Sequence, residues 1–272
     1  GGLTTNNRKL PPLGTPTIQL DIDGEELGRN YPATVGLLGD AKRTLRQMIE
    51  ASPRAVSRPA WVHHAQDALR QWREGIAPML NSDAVPIRPE RICREISEFL
   101  PDDAILVADT GHAAIWTGTM VALTKPGQRY LRCAGTLGWG FPAAIGAKCA
   151  ASDRPVLCFT GDGGLCYHLA ELETAARAGI NAVILVNNNG ALQQVRKGID
   201  AAYGGKQWGR SKGMWVFKPE TNYAHVAEDL GCLGIRVETP GEIRAALEEA
   251  FAAGRPALID VVTDIDAAPT WG

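Results

Sequence analysis

Two short apolar segments, 156–159 and 182–186, bracket the run Gly161-Asp162-Gly163-Gly164, and the second segment runs on into Asn188-Asn189. Residues 169–178 between them carry a helical pattern, so the stretch reads as strand, helix, strand. In a right-handed βαβ crossover the two parallel strands can be neighbours about 4.8 Å apart, and residues just beyond their carboxyl ends share one crevice. Asp162 and Asn189, distant in sequence, can therefore reach a single ion.

A carboxylate and an amide oxygen suit a hard cation such as Mg²⁺, which completes its shell with waters and phosphate oxygens. Two side chains are too few for a closed cage. Glycines at 161, 163 and 164 remove Cβ atoms where an anion would approach backbone N–H groups, and the following helix points its positive end at the same place. A metal-bridged diphosphate fits better than a bare metal. Either half has an ordinary reading: Gly-Asp-Gly after a strand is often only a turn, and a double asparagine is often a helix cap. Their joint placement at successive strand exits is what favours a ligand. The chain has no Gly-x-x-x-x-Gly-Lys-Ser/Thr run, which argues against a P-loop nucleotide site.

The same alternation extends along most of the chain. Strands are expected at 104–108, 129–133, 156–159, 182–186, 235–237 and 257–262, with helices near 91–99, 113–121, 142–150, 169–178, 224–230 and 243–252. That pattern predicts an α/β fold, a doubly wound, mainly parallel sheet. Residues 1–16 are polar and proline-containing, 17–21 reads as a strand and 40–49 as a helix, a piece too small to own a core. Ser52-Pro53 to Arg58-Pro59 is a linker signal. Trp61, Ala65, Leu69, Trp72 and Ile76 then fall at spacings of three and four, an amphipathic helix whose aromatics are expected to pack. The organisation expected is 1–52, 53–82 as linker and helix, and 83–272 as the main domain.

Two further constellations follow strands. Gly135-Thr136-Leu137-Gly138-Trp139-Gly140-Phe141-Pro142 opens a helix, with Pro142 near its start, and needs no ligand to explain it. Asp109-Thr110-Gly111-His112 follows the strand at 104–108, where a capped turn is the plain alternative to a binding loop.

The 272 residues carry a formal net charge of −2, which gives no electrostatic case for nucleic acid or an anionic membrane. No apolar run is long enough to span a bilayer and no signal peptide is visible, so a cytoplasmic location is expected. Six cysteines form no Cys-x-x-Cys pair and read as buried small hydrophobes. The histidines, His63 and His64 among them, show no metal-ligand spacing.

From Gly161 to Gly190 the sequence resembles the cofactor motif of thiamine diphosphate enzymes, and Glu171-Leu172-Glu173-Thr174-Ala175 resembles the acetolactate synthase branch. The resemblance implies the thiamine diphosphate-binding fold, with Mg²⁺ held by the side chains of Asp162 and Asn189 and the main-chain carbonyl of Ala191. It implies cofactor contacts from Gly111, His112, Gly161, Gly163 and Gly164. Leu137 would prop thiamine into a bent shape while the Gly135 carbonyl receives the pyrimidine amino group.

Residues 17–51, with Ile18 to Asp23 and Val35 to Asp40, resemble the closing part of the family's middle domain. The pyrimidine-binding domain and its activating glutamate are expected outside this chain, on a missing segment or a partner in a homo- or hetero-oligomer. No catalytic acid or base is assigned here. The implied chemistry is carboligation or decarboxylation of a 2-keto acid. A non-catalytic or regulatory remnant that keeps cofactor affinity, and a nucleotide-binding domain that takes ADP or ATP, are the alternatives. Asp21-Ile22-Asp23 lies where FAD binds in acetolactate synthases, so FAD is a further option beside a plain strand end. Two departures bear on substrate: position 198 is Gly where biosynthetic acetolactate synthases usually carry tryptophan, and Gln193-Gln194 replaces the usual Gly-Met.

Overall fold

The computed structural model describes residues 11–52, 57–133, 135–206, 213–218 and 221–269. Two compact units divide the chain at 68/69.

In the first unit, β1 (Ile18–Asp21) and β2 (Val35–Leu38) form a two-stranded parallel sheet, followed by α1 (Ala41–Ala51). Asp40 caps α1 by accepting from the Arg43 amide. Ile18, Val35 and Leu38 remain exposed, in keeping with a piece that cannot build a core. The strand at 35–38 escapes a periodicity reading because two glycines flank or interrupt its short apolar run. Helix α2 (Pro59–Leu80) crosses the 68/69 division, and Ile76 is its one buried residue. Trp61 and Trp72 are exposed, against the packing role expected from the sequence.

The second unit continues with α3 (Pro89–Phe99), β3 (Ile105–Ala108), α4 (His112–Met120), β4 (Arg129–Arg132), α5 (Gly140–Ala150), β5 (Val156–Gly161), α6 (Asp162–Tyr167) and α7 (Glu171–Ala178). After these come β6 (Val183–Asn188), α8 (Gln193–Tyr203), α9 (Tyr223–Asp229), β7 (Leu233–Val237), α10 (Ile243–Ala252) and β8 (Ala257–Val262). Six strands form one sheet in the order β4-β3-β5-β6-β8-β7, and every described pairing is parallel.

Strand residues alternate between two cores. Leu106, Leu157, Phe159, Leu185 and Ile259 pack under α3 and α10 through Ile92, Ile96, Ile243 and Leu247. Val107, Cys158, Ile184, Val186 and Leu258 pack under α5, α7 and α9 through Phe141, Leu172 and Ala227. Both faces are covered, which is why these strands read as continuous apolar runs. This is a doubly wound α/β domain, as the alternation predicted.

Chain order fixes where a ligand can enter. From β3 the chain moves outward to β4, then returns past β3 to β5 on the other side. The connections diverge between β3 and β5, and the carboxyl ends of these strands border the crevice that parallel α/β sheets use for binding.

Several boundaries differ from expectation. The first helix after Gly161 begins at Asp162 itself, not at 169; the two glycines after Asp162 hide it from a propensity reading. Helix α5 starts at Gly140, two residues before Pro142. Helix α8 was not anticipated, because its polar sequence Gln193 to Tyr203 lacks an apolar stripe wide enough to read. Of the six cysteines, Cys93, Cys158 and Cys232 are buried, whereas Cys149 and Cys166 are exposed on helices. Among the described residues no helix is long and apolar enough to cross a membrane.

Candidate active site

Asp162 opens α6 and is only 2% exposed. Its Oδ1 accepts from the Gly163 amide at 2.7 Å, while Oδ2 accepts from the amides of Gly190 at 2.6 Å and Ala191 at 3.2 Å. Asn189 Oδ1 accepts from the Ala191 amide at 3.1 Å, folding the 189–191 turn back on itself. Residues just past the ends of two adjacent strands, 28 positions apart, thus meet at one point.

Burial dominates the electrostatics of this carboxyl. Desolvation raises Asp162 from the ordinary aspartate range to about 7, against the opposing pull of the amides of residues 163 and 189–191. A buried carboxylate costly to ionise, beside an amide oxygen, is a donor set for a hard oxygen-seeking cation. Among the described residues no three His, Cys, Asp or Glu side chains form a cluster, so a cation here would draw on mixed donors: carboxylate, amide and main-chain carbonyl. The residues fit Mg²⁺.

The exit of β3 lies against the same end of the sheet. Asp109 is buried, and its carboxylate accepts from the Thr110 amide at 2.7 Å, the Gly138 amide at 3.1 Å and the Thr160 hydroxyl at 2.9 Å. The Gly135 amide donates to Thr110 Oγ1 at 3.0 Å. One aspartate therefore ties the 135–140 loop, which carries Gly135 and Leu137, to the ends of β3 and β5. Leu137 is half-buried in that loop.

The glycines of the motif have separate reasons. A Cβ on Gly164 would sit 2.2 Å from Asp109 Oδ2 and 2.6 Å from Thr160 Oγ1, and one on Gly163 would sit 2.5 Å from Leu192 Cδ2. The protein's own packing thus gives these two glycines a reason beside the ligand space expected from the sequence. A Cβ on Gly161 would meet nothing within 4 Å. Gly161 alone of the three borders open space.

A buried network behind β6 supports the site. Asp260 on β8 is fully buried and accepts from Asn188 Nδ2 at 2.9 Å, the Tyr223 amide at 2.8 Å and the Arg236 guanidinium. Asn188 Nδ2 also donates to the Thr221 carbonyl at 3.0 Å. Sequence reasoning passed over Asp260, although a lone acid inside Ala-Leu-Ile-Asp-Val-Val signals a paired buried charge. It named Asp109 in the run at the exit of the 104–108 strand but gave its side chain no role.

On the other side of the crevice, His112 Nδ1 lies 2.8 Å from Gln193 Oε1. Gln193, buried, donates through Nε2 to the carbonyls of Ile265, at 2.6 Å, and Ala267. Arg196 adds an ion pair to Asp266 at 2.8 Å, so α8 is fastened to the 264–267 segment. Burial lowers the His112 pKa, Lys197 lowers it further, and the bond to Gln193 opposes both.

Residues 109–261 match the family described as thiamine pyrophosphate enzyme, C-terminal TPP binding domain. The chain belongs to this family of thiamine pyrophosphate enzymes and carries its C-terminal cofactor-binding domain. Among similar proteins, a probable acetolactate synthase large subunit of Methanococcus aeolicus is 31% identical over 261 residues, covering 91% of this chain and 43% of that protein. The acetolactate synthase large subunit of Haemophilus influenzae is 28% identical over 255 residues, again 91% and 43%. A putative thiamine pyrophosphate-containing protein of Bacillus subtilis is 28% identical over 264 residues, 94% and 43%. The chain spans less than half the length of these relatives.

Proposed function

We propose that this chain is the diphosphate-binding half of a thiamine diphosphate- and Mg²⁺-dependent carboligase or decarboxylase acting on 2-keto acids. The observation that carries the reading is that the buried Asp162 carboxylate accepts from the amides of Gly190 and Ala191, in the turn that also carries Asn189 at the ends of β5 and β6. In this reading the Asp162 carboxylate, the Asn189 side-chain oxygen and the Ala191 carbonyl hold Mg²⁺, and Gly111, His112, Gly161, Gly163 and Gly164 line the diphosphate end.

Bound thiamine diphosphate supplies the carbanion chemistry, and the protein supplies position and exclusion of water. Leu137 and the Gly135 carbonyl would hold the pyrimidine end of the bound cofactor in place, the kind of positioning that can be worth several orders of magnitude in rate. The carboxyl group that activates the pyrimidine would come from a pyrimidine-binding domain on another chain or segment, which would complete the site. Residues 1–52 are the end of a middle domain, 53–82 a connection, and 83–272 the binding domain.

Thermal-shift titration with thiamine diphosphate, Mg²⁺ and ADP tests this, since a ligand that binds only the folded state raises the midpoint by mass action. Joint stabilisation by Mg²⁺ and thiamine diphosphate, lost in D162A, is expected. Stabilisation by ADP without competition from thiamine diphosphate would overturn the reading.

A further inference from the structure

Three asparagines follow one another at the end of β6, and the first differs from the other two. Asn188 and Asn189 are held by hydrogen bonds to Asp260, to the Thr221 carbonyl and from the Ala191 amide. Asn187 is only 4% exposed, and its Oδ1 is sealed from solvent with no partner among the described residues. An amide in that state has given up water and received nothing in exchange, so it destabilises an otherwise apolar strand.

Strand alternation shows what this amide borders. Val183 and Leu185 pack into the core under α3 and α10, and Ile184 and Val186 into the opposite one, so Asn187 lies on the α3 side. Leu157 and Phe159 of β5 belong to that same core, which puts Gly161 on the same face. Gly161 and Asn187 are in register, neighbours about 4.8 Å apart across the parallel pair. No atom lies within 4 Å of the place a Cβ would take on Gly161, so the Asn187 amide stands clear of β5 and a gap separates the two. Ala108 is in register with Phe159, and the 109–112 turn therefore leaves β3 beside Gly161, with Ala113 packed into the same core. The gap opens at the end of the sheet assigned above to the diphosphate.

We infer that Asn187 is a further diphosphate-binding residue, whose side-chain amide donates to a phosphate oxygen seated over Gly161. This rests on the cofactor reading above. No hydrogen bond holds the amide among the described residues, so a half-turn exchanges its two ends and presents the NH₂ group to an acceptor anion. An apolar residue at 187 would suit the buried strand better, and it would leave the anion one donor short.

Calorimetric titration of inorganic pyrophosphate with Mg²⁺ into the full chain reads this contact without thiamine and without turnover. N187L should bind pyrophosphate about tenfold more weakly than the unaltered protein, the size of one hydrogen bond to a charged group. Without ligand, its melting midpoint should equal or exceed that of the unaltered protein, because leucine removes a buried amide that bonds to nothing. N187V repeats both measurements with a smaller side chain, in case leucine crowds the strand. T263V is the control. Thr263, just past β8 and one strand farther from Gly161, carries another buried hydroxyl without a partner, and its loss should leave pyrophosphate affinity within about threefold. Affinity within about threefold in the Asn187 variants, an equal loss in T263V, or a lowered ligand-free midpoint in both Asn187 variants overturns the inference. If the unaltered protein binds no pyrophosphate with Mg²⁺, the cofactor reading falls and this inference with it; binding that leucine and valine do not weaken removes only the role of Asn187.

Discussion

Asp260 accepts a hydrogen bond from Asn188 Nδ2 at 2.9 Å across the β6–β8 pair, one residue before the asparagine assigned to the cation. Because successive side chains of a strand point to opposite faces, fastening Asn188 into the α9 side of the sheet sets the path of the 189–191 turn. Replacing Asp260 with alanine removes the acceptor of the Tyr223 amide and leaves the Asn188 amide only the Thr221 carbonyl and Arg236 only that carbonyl and Glu238. A loss of about 3 kcal/mol is expected in urea denaturation, at the low end for a broken buried pair because Arg236 is partly solvated. D260N should retain more stability than D260A. A loss in D260A below about 0.5 kcal/mol, the scale of a neutral surface change, would mean the network contributes nothing.

The raised pKa of Asp162 makes ligand stabilisation depend on pH with a definite sign. Its folded value, about 7, lies above the unfolded value of 3.8, so the folded state holds the proton more tightly. Without cation, the contribution of this group is fully present below about pH 4 and is lost as pH rises through 7. A cation binds the ionised form and reverses that loss. Mg²⁺ with thiamine diphosphate should therefore raise the melting midpoint more at pH 8 than at pH 6, and D162N should flatten the difference. An equal shift at both pH values in the unaltered protein would refute it.

Glycine substitutions separate packing from ligand space. G164A drives a methyl into Asp109 and Thr160 and should cost about 1–3 kcal/mol by overpacking. G161A meets open space at an ordinary φ of −86° and should change stability by less than about 0.5 kcal/mol. Chemical denaturation of the two variants compares them directly. Equal destabilisation would contradict the geometry.

Leu137 is assigned to the shape of the cofactor, not to its anchorage. In the complete enzyme, L137A should leave Mg²⁺ and thiamine diphosphate affinity within about threefold and reduce kcat by about a hundredfold, the scale of a misplaced reacting group. Calorimetry and steady-state kinetics read the two quantities separately. A variant that loses affinity and rate together would place Leu137 among the anchoring residues.

Much of this was legible in the sequence because fully buried parallel strands betray themselves as apolar runs, and because Asp162 and Asn189 stand at the exits of two of them. The roles of Asp109 and Asp260 were harder to see: each acid marks itself in the sequence, but the groups it holds come mostly from distant segments, so the pattern does not say what it binds. The polar helix α8 was missed for a related reason. Gln193 and Arg196 hold it by hydrogen bonds to the 264–267 segment, and such anchoring leaves no hydrophobic period. The glycines at 163 and 164 were read as room for a ligand; their second reason, room for Leu192, Asp109 and Thr160, comes from other elements and could not be read locally.

Strand β8 ends the sheet in sequence yet lies inside it, between β6 and β7, and just beyond it Thr263 bridges to Ile87 ahead of α3. During synthesis β7 emerges before β8 and has no place to dock until β8 follows. The domain's hydrogen-bond ladder can close only after β8 leaves the ribosome, and until then the β6 edge stays unpaired and open to chaperones.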